Sequence, residues 1–281
     1  MRKSEIRALL DRIGLIPQKN RGQNFLASER IAEQIVRAAE VNPRDLVVEI
    51  GPGLGMVTGK ILGTGAHILA VEIDPLLASY LEERFGGHEH FHMIEHDFLS
   101  LAPETLYSYN GSRKPVFITN PPYRGGKKIL KRLVTMERAK RIIITLQKEV
   151  AKTVLALPGS PKAAAITYIV HLRFSPRKLF DIPKNFFYPQ PSINSTTLLL
   201  APHHLKHPVK NDFFYCRTVE QLMHTKKKQL KNSIRANFNI PVKTIETMLA
   251  QLELTDSTRP SELTLEQMAT LVNSIESKCP A

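Results

Sequence analysis

No segment of this chain restricts its fold more than residues 46–73. A short apolar run, Leu46–Ile50, leads into the turn Gly51-Pro52-Gly53-Leu54-Gly55. A helical stretch follows over 56–62, then a second β-branched run over 67–73. Strand, glycine turn, helix and strand make a right-handed parallel crossover, because a right-twisted strand packs its returning helix only that way. The rhythm continues, with a helix expected over 76–85 and strands over 91–95, 116–119 and 141–146. The fold expected is therefore α/β, a doubly wound Rossmann-like sheet. Residues 196–200 read as a late strand, either an antiparallel edge or a hairpin partner. Upstream, Ile31, Ile35, Ala38 and Ala39 share one side of a helix over 29–40 capped by Ser28.

The rhythm breaks near residue 201. APHHLKHP (201–208) reads as a linker. Beyond it the spacing predicts helices over 212–236, 243–252 and 261–274, the last opened by Ser261 with Glu262 and Leu263. Two domains are expected: 1–202, carrying the sheet, and 203–281, small and helical.

The glycine turn sits where such a sheet binds nucleotides. Glycines permit the sharp bend and the close approach of a ligand. Glu72 ends the second strand, where a carboxylate accepts hydrogen bonds from ribose hydroxyls. The spacing is G-x-G-x-G rather than the dinucleotide pattern G-x-G-x-x-G, and Glu49 beside it would repel a pyrophosphate. A carboxylate there suits a ligand carrying an amine and a sulfonium cation, which is S-adenosylmethionine. Asp97, after the third strand, is placed to accept from an adenine amino group, with Phe98 to cover the ring. Taken singly, Glu49 reads equally as a residue behind the site, and Asp97 as a turn cap.

After the fourth strand comes Asn120-Pro121-Pro122-Tyr123. A conjugated amino group is a poor nucleophile. The Asn120 side-chain oxygen and the Pro121 carbonyl can hold its two N–H bonds and aim its lone pair at a sulfonium methyl. Proline keeps the turn rigid, and Tyr123 can stack on a planar substrate. Positioning then supplies most of the catalysis. The motif leaves three acceptors open: adenine in DNA, adenine in RNA, or a glutamine side chain.

Charge separates two regions. Residues 40–104 hold three basic and eleven acidic residues, in a chain of net charge +13. Arg124–Lys152 holds ten basic and two acidic residues, and Lys206–Arg235 eight and two, including Lys226–Lys228, which read as helical. Either tract can grip phosphates or serve as a solvated face. Two cysteines exclude a disulfide scaffold, and the histidines offer no convincing metal ligand set. No apolar run is long enough to span a membrane, so the cytoplasm is the expected location.

Taken in order, these residues resemble the ribosomal RNA small-subunit adenine dimethyltransferases (the KsgA family). The likeness runs through Gly22-Gln23-Asn24-Phe25-Leu26, Glu49–Gly55, Glu72-Ile73-Asp74, Asp97, Leu146–Ala151 (LQKEVA), Pro158-Gly159-Ser160, Phe187–Ser195 (FYPQPSINS) and Lys226–Asn232. It implies dimethylation of two adjacent adenosines in a hairpin loop near the 3′ end of 16S rRNA. It also implies a late role in assembly of the 30S subunit; a monomeric enzyme without metal is expected. Asn24, Leu26, Gly51, Glu72, Asp97 and Asn120 would bind S-adenosylmethionine; Asn120, Pro121 and Tyr123 would act on the adenine. The family pattern NLPY is NPPY here, followed by Arg124-Gly125-Gly126-Lys127. Because Pro121 contributes only its carbonyl, the swap preserves the chemistry. Competing readings are a methylase of 23S rRNA or of DNA, or an assembly factor that binds RNA without transferring methyl groups.

Overall fold

The computed structural model describes residues 1–17, 22–109, 114–136, 138–204 and 207–279. Packing divides them into two compact units, 1–151 with 176–202, and 152–175 with 203–281.

The first unit is built on the sheet. A two-residue strand, β1 (Phe25–Leu26), precedes helix α2 (Glu29–Ala39), itself preceded by α1 (Lys3–Arg12). Ser28 Oγ accepts from Ile31 N–H and caps α2 as expected. Then β2 (Leu46–Ile50), α3 (Met56–Leu62), β3 (His67–Glu72), α4 (Pro75–Phe85), β4 (Phe91–Glu95), α5 (Pro103–Ser108), β5 (Val116–Thr119), α6 (Gly126–Val134) and β6 (Arg141–Gln147) alternate. The strands β4, β3, β2, β5 and β6 are parallel neighbours in that order. β2 and β5 are buried along their whole length, as strands covered on both faces must be. The late strand β9 (Ser195–Pro202) lies antiparallel to β6, and β7 (Phe174–Ile182) forms the edge beyond it. β7 carries Pro176, which an edge strand tolerates because it has no second ladder to feed.

Strand order reverses at β2, whose neighbours are β3 on one side and β5 on the other. Crossovers leave that point in opposite directions and open a crevice at the strands' carboxyl ends. One wall comes from a separate pairing. β1 lies antiparallel to β8 (Phe187–Tyr188), with Leu26 opposite Phe187. Ile6 and Leu10 of α1 join Phe25, Leu26, Ile35 and Phe187 in one buried cluster.

The glycine turn is held shut. Gly51, Gly53 and Gly55 all have positive φ. A Cβ on Gly55 (φ +73°) would lie 2.5 Å from the Phe85 ring and 2.8 Å from Leu81. Gly55→Ala is therefore expected to cost about 2–4 kcal/mol, the sum of left-handed strain and overpacking, read as a lower urea midpoint. Alanine tolerated there without loss would mean that α4 does not press on the turn.

The second unit consists of helices. The expected boundary at 202/203 is one place where the chain passes between units, but residues 152–175 also belong here. α8 (Ala165–Arg173) packs on α9 (Asp212–His224) and α12 (Leu265–Lys278). Tyr168 Oη donates to Leu263 O at 2.7 Å, and Arg173 pairs with Asp212 at 2.6 Å. The single helix expected over 212–236 is two, α9 and α10 (Leu230–Asn237), so Lys226–Lys228 lie in a turn rather than on a helix. The break is held by tertiary bonds. Leu230 N–H donates to Thr258 O, Thr225 Oγ1 to Ser233 Oγ, and Lys226 Nζ to Ala163 O. α11 (Val242–Gln251) falls where expected. The last helix begins at Leu265, not Ser261. Leu263 is buried and extended, and Thr264 exchanges hydrogen bonds with Gln267 in a capping box.

Candidate functional site

The carboxyl ends of β2, β3 and β5 open on a cavity of ≈ 740 Å³ within the first unit. That volume lies in the range of small-molecule sites, roughly 300–1,000 Å³. Asn24, Leu26, Gly51, Glu72, Asp97 and Asn120, the six residues expected to bind cofactor, all line it. Pro121 and Tyr123 do not. They line an adjoining cavity of ≈ 250 Å³ with Arg124, Lys127, Thr145 and Gln147. The NPPY turn thus stands between two hollows, with Asn120 and Pro122 facing the larger.

Glu72 is 5% exposed. One of its carboxylate oxygens accepts from Gly53 N–H (3.2 Å) and the other from Ile73 and Asp74 N–H (3.0 and 3.1 Å). These donors lock its orientation and pull its pKa down, but burial outweighs them and leaves it above the usual carboxylate range. A carboxylate offers about four acceptor positions, so capacity remains for a ligand hydroxyl. Glu49, 3% exposed, accepts from Thr58 Oγ1 at 2.7 Å. Burial, with the charge of Glu72 adding to it, pushes its pKa up to about 7 against that hydrogen bond. Asp97 Oδ1 caps the turn by accepting from Leu99 N–H (2.9 Å), and the residue lines the cavity beside Phe98. Asn24 Nδ2 donates to Gly22 O at 2.8 Å.

A Cβ on Gly51 (φ +67°) would meet no atom within 4 Å. Gly51 lines the cavity, so its surroundings are open there. An open glycine cradle, a carboxylate with acceptor capacity beyond it and a second buried carboxylate beside the turn fit a cationic nucleoside such as S-adenosylmethionine.

The NPPY turn is prepared differently. Backbone N–H groups of Gly125 and Gly126 occupy the Pro122 carbonyl. Among the described residues, the Pro121 carbonyl and the Asn120 side chain have no hydrogen-bond partner. Tyr123 is half-buried, and its hydroxyl lies 2.7 Å from Ser195 Oγ and 3.4 Å from Ile193 O. Burial raises its pKa against the Ser195 hydrogen bond. Ser195 escaped attention as a functional residue; its one signal was its place at the end of FYPQPSINS.

The basic tract after the motif divides into two kinds. Arg132 donates to Leu101 O and lies over the Phe98 ring, Lys140 pairs with Asp45 at 2.6 Å, and Arg141 pairs with Glu40. Arg124, Lys127 and Lys128 have no ion-pair partner among the described residues and border the two cavities. Glu137 of this tract and Lys206 of the second lie outside the described residues, as does Leu205 of the linker. Lys227 and Lys228 are exposed. Among the described residues no group of three or more His, Cys, Asp or Glu is placed to hold a metal ion. No helix there is long and apolar enough to cross a membrane.

The chain is 34% identical to the ribosomal RNA small subunit methyltransferase A of Thermotoga maritima over 232 residues, 82% of this chain and 79% of that protein. It is 30% identical to the protein of that name from Moorella thermoacetica over 279 residues, 96% of each. In fold it is similar to a Plasmodium falciparum dimethyladenosine transferase (TM-score 0.75, 21% identity, 90% of this chain and 98% of that one). It is also similar to the 23S rRNA methyltransferase ErmE (TM-score 0.64, 20% identity, 90% and 99%). The family model for ribosomal RNA adenine dimethylase matches residues 17–277. With a match running through both compact units, the chain belongs to the ribosomal RNA adenine dimethylase family.

Proposed function

We propose that this chain dimethylates the exocyclic amino groups of two adjacent adenosines in the hairpin loop near the 3′ end of 16S rRNA, on the 30S subunit or its precursor, late in assembly. The observation that carries the reading is the full-length likeness to small subunit methyltransferases A, joined to an NPPY turn whose two acceptors are unspent. Asn24, Leu26, Gly51, Glu72, Asp97 and Asn120 hold S-adenosylmethionine. When bound, it supplies an electrophilic methyl group on a sulfonium sulfur.

The remaining work falls to the protein. Asn120 Oδ1 and Pro121 O accept the two N–H bonds of the adenine amine, drawing its lone pair out of conjugation and fixing its direction. Tyr123 supplies a stacking face. No strong base is needed, because the nitrogen becomes acidic as it is methylated and its proton leaves to water. Arg124, Lys127 and Lys128, at the rims of the two cavities, meet phosphates beside the splayed base.

Glu49 makes cofactor binding depend on pH. Its carboxyl ionises near 7 in the folded chain, against 4.5 as its ordinary value. A raised carboxyl pKa stabilises the fold fully below 4.5, and that contribution, about 3 kcal/mol, is lost as pH rises through 7. A bound cation favours the ionised form, so binding expels a proton. Affinity for S-adenosylmethionine is expected to fall about thirtyfold between pH 8 and pH 5.5. Glu49→Gln should flatten that slope in calorimetric titrations; a slope that persists in the variant would assign the linkage to another group.

The decisive assay offers labelled cofactor to under-methylated small subunits, large-subunit RNA and duplex DNA, and maps products by mass. Adjacent N6,N6-dimethyladenosines in 16S rRNA are expected. Labelling of DNA or 23S rRNA alone would refute the proposal.

A further inference from the structure

We infer that Ser195 is a positioning residue: through its hydrogen bond it fixes the plane of the Tyr123 ring against which the target base stacks. The inference rests on the proposed function, and deepens it by bringing in a residue from β9, two strands away from β5 in the sheet.

Tyr123 follows β5 in a short turn, and a tyrosine in a turn is free to rotate about its side-chain bonds unless its far end is tied. Here it is tied. Its hydroxyl lies 2.7 Å from Ser195 Oγ, with Ile193 O at 3.4 Å. Both contacts are satisfied when Ser195 donates to the tyrosine oxygen and the tyrosine donates its own proton to the carbonyl. Ser195 is 0% exposed and is the first residue of β9, directly opposite Gln147 of β6 in the antiparallel ladder. Two positions along, Thr145 and Thr197 join hydroxyls at 3.0 Å on the same pair of strands. The anchor is therefore a rigid strand, and the anchored group is half-buried at the mouth of a cavity. Gly22 closes on the other side: a Cβ there would lie 3.1 Å from Tyr123 N. The ring is held at its base by the turn and at its tip by the strand. A buried serine hydroxyl at this place has no other bonding partner among the described residues.

The consequence is kinetic. A stacking face that tilts misaligns the amine against its acceptors while leaving cofactor contacts untouched, and a misplacement of about 1 Å costs on the order of a hundredfold. Ser195→Ala is expected to lower kcat on under-methylated small subunits ~10–30-fold with the cofactor KM within about twofold. Tyr123→Phe keeps the ring, removes the hydroxyl and should give the same loss. The double variant should be no slower than either single variant, because both remove one hydrogen bond. The chain contains no tryptophan, so 2-aminopurine at the target position reports stacking directly. Its quenching on binding should weaken equally in both single variants.

Wild-type kcat in Ser195→Ala, or losses that multiply in the double variant, would overturn the inference. A general defect in folding is recognised by a lowered melting temperature with cofactor KM and kcat both disturbed, and it too would count against positioning. Asn120→Ala run alongside separates the two levels. If it retains full turnover, the proposed acceptor geometry fails; if it is inactive while Ser195→Ala is normal, only the anchor fails.

Discussion

Asn120→Ala is expected to slow methyl transfer about a thousandfold or more while binding of the small subunit stays within about threefold. The magnitude follows from the kind of interaction removed. A preorganised hydrogen-bonding group that acts on the reacting atoms is worth on the order of 10²–10³ in rate. On the proposed reading Asn120 Oδ1 is one of two acceptors that draw out the amine lone pair, so its loss would also release the nitrogen from its aim. The fold should not suffer, because the Asn120 side chain has no hydrogen-bond partner among the described residues to lose. Single-turnover rates on under-methylated subunits, paired with melting curves, make the check. Normal turnover in the variant would show that the carboxamide is not the acceptor.

Glu72→Ala carries the second large effect, binding of S-adenosylhomocysteine weakened at least about a hundredfold by calorimetry with unchanged affinity for RNA. Two hydrogen bonds from ribose hydroxyls to a carboxylate are worth roughly 1.5–3 kcal/mol each. The variant loses these and more. Gly53, Ile73 and Asp74 N–H groups are all tied to that carboxylate, so removing it also loosens the glycine turn and the start of α4. Glu72→Gln is the sharper control, since it keeps the volume and one carbonyl oxygen. An affinity equal to wild type in both variants would end the ribose assignment.

Both effects concern residues that sequence reasoning could find, for a shared reason. β2 and β3 are apolar over nearly their whole length, Gly51–Gly55 is a local pattern, and Asn120 follows a strand end directly. Each is specified by residues within a few positions of itself. What escaped notice is specified at a distance. β1 and β8 have two residues each, too few for any periodicity, and exist because they pair with one another. β7 runs through Pro176, which argues against a strand until its edge position is known. The helix over 212–236 breaks because Leu230 N–H finds Thr258 O, and Lys226, one of three adjacent lysines, is partly spent on Ala163 O. Residues 152–175 join the C-terminal helices through Tyr168 and Arg173, contacts that no local spacing announces. The Tyr123 hydroxyl likewise meets Ser195, far along the chain from it.

The pairing of Leu26 with Phe187 has a consequence for how the enzyme comes into being. As the chain leaves the ribosome, its amino-terminal segment emerges long before the partner it needs. Until residue 187 has been synthesised, β1 lacks the strand it pairs with. Nascent fragments can therefore build the parallel strands β2 to β6 before the partner of β1 exists, so this pairing closes only after most of the sheet is in place.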